Sequence, residues 1–120
     1  MTAEQFLQSV QNSNEQLGKL VRLQGLLKSP DFSLNPGEHK ARTEELEEQI
    51  NQAYDHSRMV RRRVQNFIDR LPEDREREML KLLFLSLLRM EDAVGVMGLS
   101  LRQGYRIKRS GLLHLEAMRY

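Results

Sequence analysis

The sequence predicts an all-α protein: a long N-terminal helical hairpin or coiled coil followed by a C-terminal helix-turn-helix lobe. Three observations carry this expectation. Apolar residues recur at three- and four-residue spacing along most of the chain. Only three prolines occur, at positions 30, 36 and 72, and they divide the chain into helical blocks. A segment near the C terminus, punctuated by Gly98 and Ser100, separates two short helical patterns. The organisation expected is therefore a hairpin or coil over residues 1–71 and a lobe over residues 72–120.

In the first block Phe6, Leu7, Val10, Leu17, Leu20, Val21, Leu23 and Leu27 form an apolar face, interrupted by Asn14 and Gln24. Ser29-Pro30 stops this helix, and Asp31-Phe32-Ser33-Leu34 reads as a loop. Asn35-Pro36-Gly37-Glu38 has the order of an N-cap, a proline at the first helical position and a glutamate placed to close a capping box. The second helix that starts there carries Leu46, Ile50, Ala53, Ser57, Val60, Val64, Phe67 and Leu71, with spacings of four and three throughout, a coiled-coil seam. The seam is filled either by the first helix folding back or by a second copy of the chain, and Asn14 is a candidate for fixing register.

Leu71-Pro72-Glu73-Asp74 ends the long helix and opens a third, with Pro72 at an early helical position and acids in the first turn. Met79, Leu80, Leu82, Leu83, Phe84, Leu87 and Leu88 are too dense for one stripe, so this helix is expected to be central and contacted on more than one side.

With 120 residues there is room for one domain or two small helical lobes, and little for a large buried active site. Nineteen Lys and Arg against 17 Asp and Glu leave a net charge of +2, so any preference for an anionic partner must come from charge distribution. The absence of cysteine excludes disulfides, thiolate metal sites and a cysteine nucleophile. The longest apolar run, Leu82 to Leu88, is far shorter than a membrane span, and Met1 to Gln5 lack the basic and apolar regions of a secretion signal. A soluble, cytoplasmic protein is expected.

Function is expected to lie in residues 90–115. A short helix from Met90 to Met97, a turn at Gly98 and an N-cap at Ser100 have the length and punctuation of a helix-turn-helix. At about 100° per residue, Arg102, Gln103, Tyr105, Arg106, Arg109 and Ser110 share one side of the second helix, and Gly104, Ile107, Gly111, Leu115 and Met118 the other. Arginine can be bidentate to guanine and glutamine to adenine, and the remaining groups can hold phosphate. The residues expected to bind DNA are Ser100, Arg102, Gln103, Tyr105, Arg106, Lys108 and Arg109.

These residues also carry a resemblance. Leu71-Pro72-Glu73-Asp74 followed by an apolar helix, Glu91-Asp92, Met97-Gly98, Ser100, Arg102-Gln103 and Tyr105-Arg106-Ile107 resemble the C-terminal half of small phage and prophage proteins of Gram-positive bacteria. Those proteins join an N-terminal helical region to a helix-turn-helix similar to region 4 of sigma factors, and include the ArpU/RinA-like late transcription regulators. The resemblance covers about the last fifty residues and reaches the hairpin only in architecture. It implies a DNA-binding transcription regulator in a bacterial host cell, with Ser100, Arg102, Gln103, Tyr105 and Arg106 on the recognition helix. The sequence departs from the family pattern in two places. Leu87-Leu88-Arg89 stands where the family has a glycine-containing turn, and Gly104 stands where it has a β-branched residue. Three glycines, Gly95, Gly104 and Gly111, either soften the lobe or let its helices pack unusually close.

Other features carry less. Arg61, Arg62 and Arg63 offer further phosphate contacts, although an exposed coil face explains the run more simply. Glu44, Glu45, Glu47 and Glu48 read as solvated helix surface, or as partners for basic residues on another helix. His39, His56 and His114 are scattered, and no Ser-His-Asp grouping or metal site can be assembled around them from the sequence. No enzyme activity, cofactor or metal is expected. The partners expected are duplex DNA, a second copy of the chain forming a homodimer, and RNA polymerase or another host protein. The alternative is an adaptor or inhibitor that acts through its long helices without binding DNA, and a third reading is the DNA-recognition subunit of a packaging motor.

Overall fold

The computed structural model describes residues 1–28 and 35–118. They form α1 (Ala3–Leu27), α2 (Pro36–Ile68), α3 (Asp74–Phe84), α4 (Met90–Met97) and α5 (Leu101–Met118), an all-α protein with no strand among the described residues. No helix among them is long and apolar enough to cross a membrane.

Side chains set the helix starts. Thr2 and Gln5 open α1 with a reciprocal capping box: the Gln5 N–H donates to Thr2 Oγ1 at 3.1 Å and the Thr2 N–H donates to Gln5 Oε1 at 2.8 Å. Asn35 is the N-cap of α2, its Oδ1 accepting from the Glu38 N–H at 2.8 Å, with Pro36 at the first helical position as expected. The expected stop at Ser29-Pro30 and the loop Asp31–Leu34 lie outside the described residues.

Two expectations about the third helix need correction. Pro72 is not inside it. Glu73 is extended (φ −91°, ψ 125°) and takes the N-cap position, so the helix starts at Asp74 and the proline stands one residue ahead of the cap. Glu73 makes no side-chain capping bond; Arg77 ties the junction instead, bonding Asp74 and the carbonyl of Leu71. The helix also stops at Phe84, leaving Leu87 and Leu88 in the connection to α4. Leu87 takes a left-handed conformation (φ 56°), which prevents helical continuation, and the Ser86 and Leu88 N–H groups turn back to the carbonyls of Lys81 and Leu82 at 3.0 Å.

The chain divides into two compact units, residues 1–11 with 60–120, and residues 12–59, so the division runs through both long helices and not between Leu71 and Pro72. In the first unit, Ala3, Leu7 and Val10 of α1 pack with Val60, Val64, Phe67 and Ile68 of α2, Leu80 and Phe84 of α3, and Leu115 of α5. Phe6 meets Phe67 edge-on, with ring centroids 5.4 Å apart. A second cluster joins Met79 of α3 to Met90, Ala93 and Val94 of α4, with Ile107 of α5 packed against it. Helix α3 therefore feeds two cores, which accounts for its apolar density.

In the second unit Leu27, Leu46 and Ile50 are buried, with Leu17 and Leu20 against them. Ser57 Oγ donates to Asn14 Oδ1 at 3.3 Å, and a ring nitrogen of His39 donates to the carbonyl of Leu27 at 2.7 Å. These pairings run antiparallel, so the α2 seam faces α1 of the same chain. Asn14 meets Ser57, the one polar residue of that seam.

Candidate nucleic-acid interface

Helix α4 ends where Gly98 takes the left-handed conformation (φ 68°, ψ 37°), with the Leu99 N–H bonded to the Val94 carbonyl at 2.9 Å. Two residues on, α5 opens with a second reciprocal capping box. The Gln103 N–H donates to Ser100 Oγ at 3.2 Å and the Ser100 N–H donates to Gln103 Oε1 at 3.0 Å. The turn between the helices is thus fixed by backbone conformation on one side and side-chain bonds on the other. Ser100 and Gln103 hold the start of α5, with the Oε1 of Gln103 engaged by the Ser100 N–H.

Glycine brings α5 onto its neighbours. A Cβ on Gly104 would stand 2.3 Å from Val94 Cγ1 and 2.9 Å from Met90 Sδ, and one on Gly111 would stand 3.1 Å from Leu80 Cδ1. Both glycines are buried. A β-branched residue at position 104 has no room here, and Gly104 is the condition for close packing of α4 against α5.

The opposite side of α5 is exposed at Arg102, Gln103, Tyr105, Arg106 and Arg109. Among the described residues no ion pair engages Arg102, Arg106 or Arg109. Lys108 is placed differently. Its Nζ lies 3.7 Å from Glu4 of α1 and 5.9 Å from the centroid of the Phe84 ring, so the first turn of α1 holds its charge. Of the basic run on α2, Arg61 donates to the carbonyl of Leu85 at 2.9 Å, bracing the end of α3, while Arg62 and Arg63 are exposed.

Ser110 departs from the expected exposed face. Its hydroxyl donates to Glu76 Oε2 at 2.8 Å, and Nδ1 of His114 lies 2.7 Å from Glu76 Oε1. Glu76 is 1% exposed. Burial pushes its carboxyl pKa up, but the bonds from His114 and Ser110, with the positive charge of His114, outweigh that and hold it below the ordinary value. The sequence yields no Ser-His-acid grouping, yet the fold builds one across α3 and α5. Both Ser110 and His114 bond the carboxylate and not one another, so the arrangement anchors α5 to α3 and does not activate the serine. One signal was present: Glu76 stands three and four residues before Met79 and Leu80, on the buried side of α3.

Beside the arginine face, an open groove of about 590 Å³ is lined by Tyr105, Leu112 and Leu113 of α5 and by Ala3 and Glu4 of α1. Tyr105 is 51% exposed and Leu113 64%. No group of three potential metal ligands occurs among the described residues. Comparison with protein-family models, curated proteins and solved structures finds no match to the chain.

Proposed function

We propose that the protein is a DNA-binding transcription regulator of the phage type, reading duplex DNA with α5. The observation that carries this reading is a rigidly capped helix, entered through a left-handed glycine turn, that presents Arg102, Arg106 and Arg109 on one exposed face without ion-pair partners among the described residues. A face so built has charge for phosphate and guanidinium forks for guanine. In this reading Gln103 and Tyr105 contribute base or backbone contacts, Ser100 holds the helix start against the duplex, and Lys108 supports from behind. Arg62 and Arg63 are candidate phosphate contacts, with Arg61 bound to the fold.

The alternative is an adaptor or inhibitor that grips a host protein through its long helices; the exposed apolar groove where Tyr105, Leu112 and Leu113 of α5 meet Ala3 and Glu4 at the start of the long helix α1 favours it only at that end. Binding to genomic duplex fragments across a salt series separates the two. A DNA reader loses affinity steeply as salt rises and loses binding with Arg102→Ala/Arg106→Ala. No duplex binding at low salt defeats the DNA reading and leaves the adaptor.

A further inference from the structure

We infer that α5 carries a docking seam for an acidic amphipathic helix of a partner protein, and that the partner covers the arginine face when it binds. The seam is Leu101, Tyr105, Lys108 and Leu112, at spacings of four, three and four, the spacing by which one helix packs along another. At about 100° per residue it runs along one flank of α5, apart from the buried side at Gly104, Gly111 and Leu115 and next to Arg102 and Arg109. The buried side is filled by α3 and α4, with Gly104 against Val94 and Met90 and Gly111 against Leu80.

Along the seam the fold leaves a trough. The first turn of α1 stands beside α5, and the groove of about 590 Å³ at that junction has Tyr105, Leu112 and Leu113 as its apolar lining. Leu101, one turn before Tyr105, is 46% exposed and extends the apolar surface toward the start of α5. Leu101, Leu112 and Leu113 have no part in reading a duplex, so the proposed DNA function leaves them without a role. An amphipathic helix that lays its apolar stripe into the trough gives them one. The wall that α1 adds makes the site concave, which suits a helix better than the plane of a bilayer.

Charge fixes the sign of the partner. Two acids line the trough, and both are held internally: Glu4 lies 3.7 Å from Lys108, and Glu116 Oε2 accepts from the Ala3 N–H at 2.5 Å. Arg102, Arg106 and Arg109 are exposed and have no ion pair among the described residues. The uncompensated charge beside the seam is therefore positive, and acids flanking the partner's apolar stripe match it. Tyrosine and arginine are also the side chains on which interface affinity most often rests, and Tyr105 stands one turn from both Arg102 and Arg109. The docking is independent of the DNA reading. Its consequence, exclusion of the duplex by the partner, rests on that reading.

The probe is a fluorescein-labelled synthetic helix with leucines at spacings of four and three and glutamates on both flanks, titrated with the full chain. One control has lysine in place of glutamate, and another scrambles the sequence to break the leucine stripe. The glutamate peptide is expected to bind at least tenfold more tightly than either control. Tyr105→Glu and Leu113→Glu, both at exposed positions, should each weaken it at least tenfold with helicity by circular dichroism unchanged. Arg102→Glu/Arg109→Glu should turn the preference toward the lysine peptide. Methyl chemical shifts should move at Leu101, Leu112 and Leu113 and stay fixed at Leu23 and Leu26 of α1. No binding, equal binding of the scramble, indifference to Tyr105→Glu, or shifts confined to Leu23 and Leu26 each overturns the inference, as does binding to phosphatidylglycerol vesicles in place of the peptide. Failure of the DNA reading looks different: the peptide binds and responds to these variants, but the chain holds no duplex for it to displace.

Discussion

Gly104 of α5 faces Val94 of α4 so closely that a methyl group on its Cα would stand 2.3 Å from Val94 Cγ1. Alanine there gains about 1 kcal/mol of helix propensity but forces two packed helices apart. The expected net effect of Gly104→Ala is a loss of about 1–3 kcal/mol in chemical denaturation. Val94→Ala in the same chain should recover part of that loss, because it removes the atom the new methyl meets. A Cβ on Gly111 meets Leu80 Cδ1 at 3.1 Å and Leu80 Cγ and Glu76 Cβ at 3.4 Å, looser contacts than at position 104, so Gly111→Ala should cost less than Gly104→Ala.

Leu87 holds a backbone conformation (φ 56°) in which a side chain costs about 1–2 kcal/mol. Its side chain packs against the first core, which offsets the strain. Leu87→Ala keeps the strain and loses the packing, whereas Leu87→Gly loses both. Glycine is therefore expected to be the more stable of the two variants, an inversion of the usual order in which glycine is worse than alanine. Thermal or denaturant midpoints of the pair decide it.

Leu87 also shows where sequence reasoning stops. The seam residues Leu46, Ile50, Ser57, Val60, Val64 and Phe67 could be placed because their period is local, and all of them are buried. Asn35, Gly98 and Ser100 could be placed because capping and left-handed turns demand particular residue types within a few positions. Leu87 offers no such cue, since leucine is a helix former and nothing adjacent announces the left-handed turn. The placement of Lys108 against Glu4 and of Ser110 and His114 against Glu76 was likewise illegible, for these partners are far apart in the chain and meet only through tertiary packing. The exposed arginines of α5 were legible because a single helix sets their common face.

The carboxylate of Glu76 makes stability depend on pH with a defined sign. Its folded pKa lies below the ordinary value of about 4.5, so the stabilisation is fully present above that value and is lost as pH falls through the lower, folded value. Glu76→Gln should remove this acid-side dependence and cost about 1–3 kcal/mol near neutrality, since the amide places a donor where two donors already converge. Ser110→Ala should cost about 1 kcal/mol and move the acid transition of Glu76 toward its ordinary value. Denaturation of the three proteins at neutral pH and across the acid range provides the comparison. A Glu76→Gln protein that retains the wild-type loss between pH 4.5 and lower values would remove Glu76 as its source.

On the proposed DNA-reading function, the arginines of α5 and Lys108 should separate in their effect on duplex binding. Arg102, Arg106 and Arg109 are exposed and without ion-pair partners among the described residues, so alanine at any of them that neutralises a phosphate is expected to lower the slope of log affinity against log salt by about 1. An arginine that reads a base instead relaxes sequence preference at one position, at a cost of about 1–3 kcal/mol. Lys108 is held by Glu4 and the Phe84 ring. Lys108→Ala should therefore leave the salt slope nearly unchanged and show its effect as a stability loss of at most about 1 kcal/mol. Equal slope changes from Lys108→Ala and Arg106→Ala would mean that Lys108 swings to the duplex when DNA binds, and that Glu4 only parks it in the free protein.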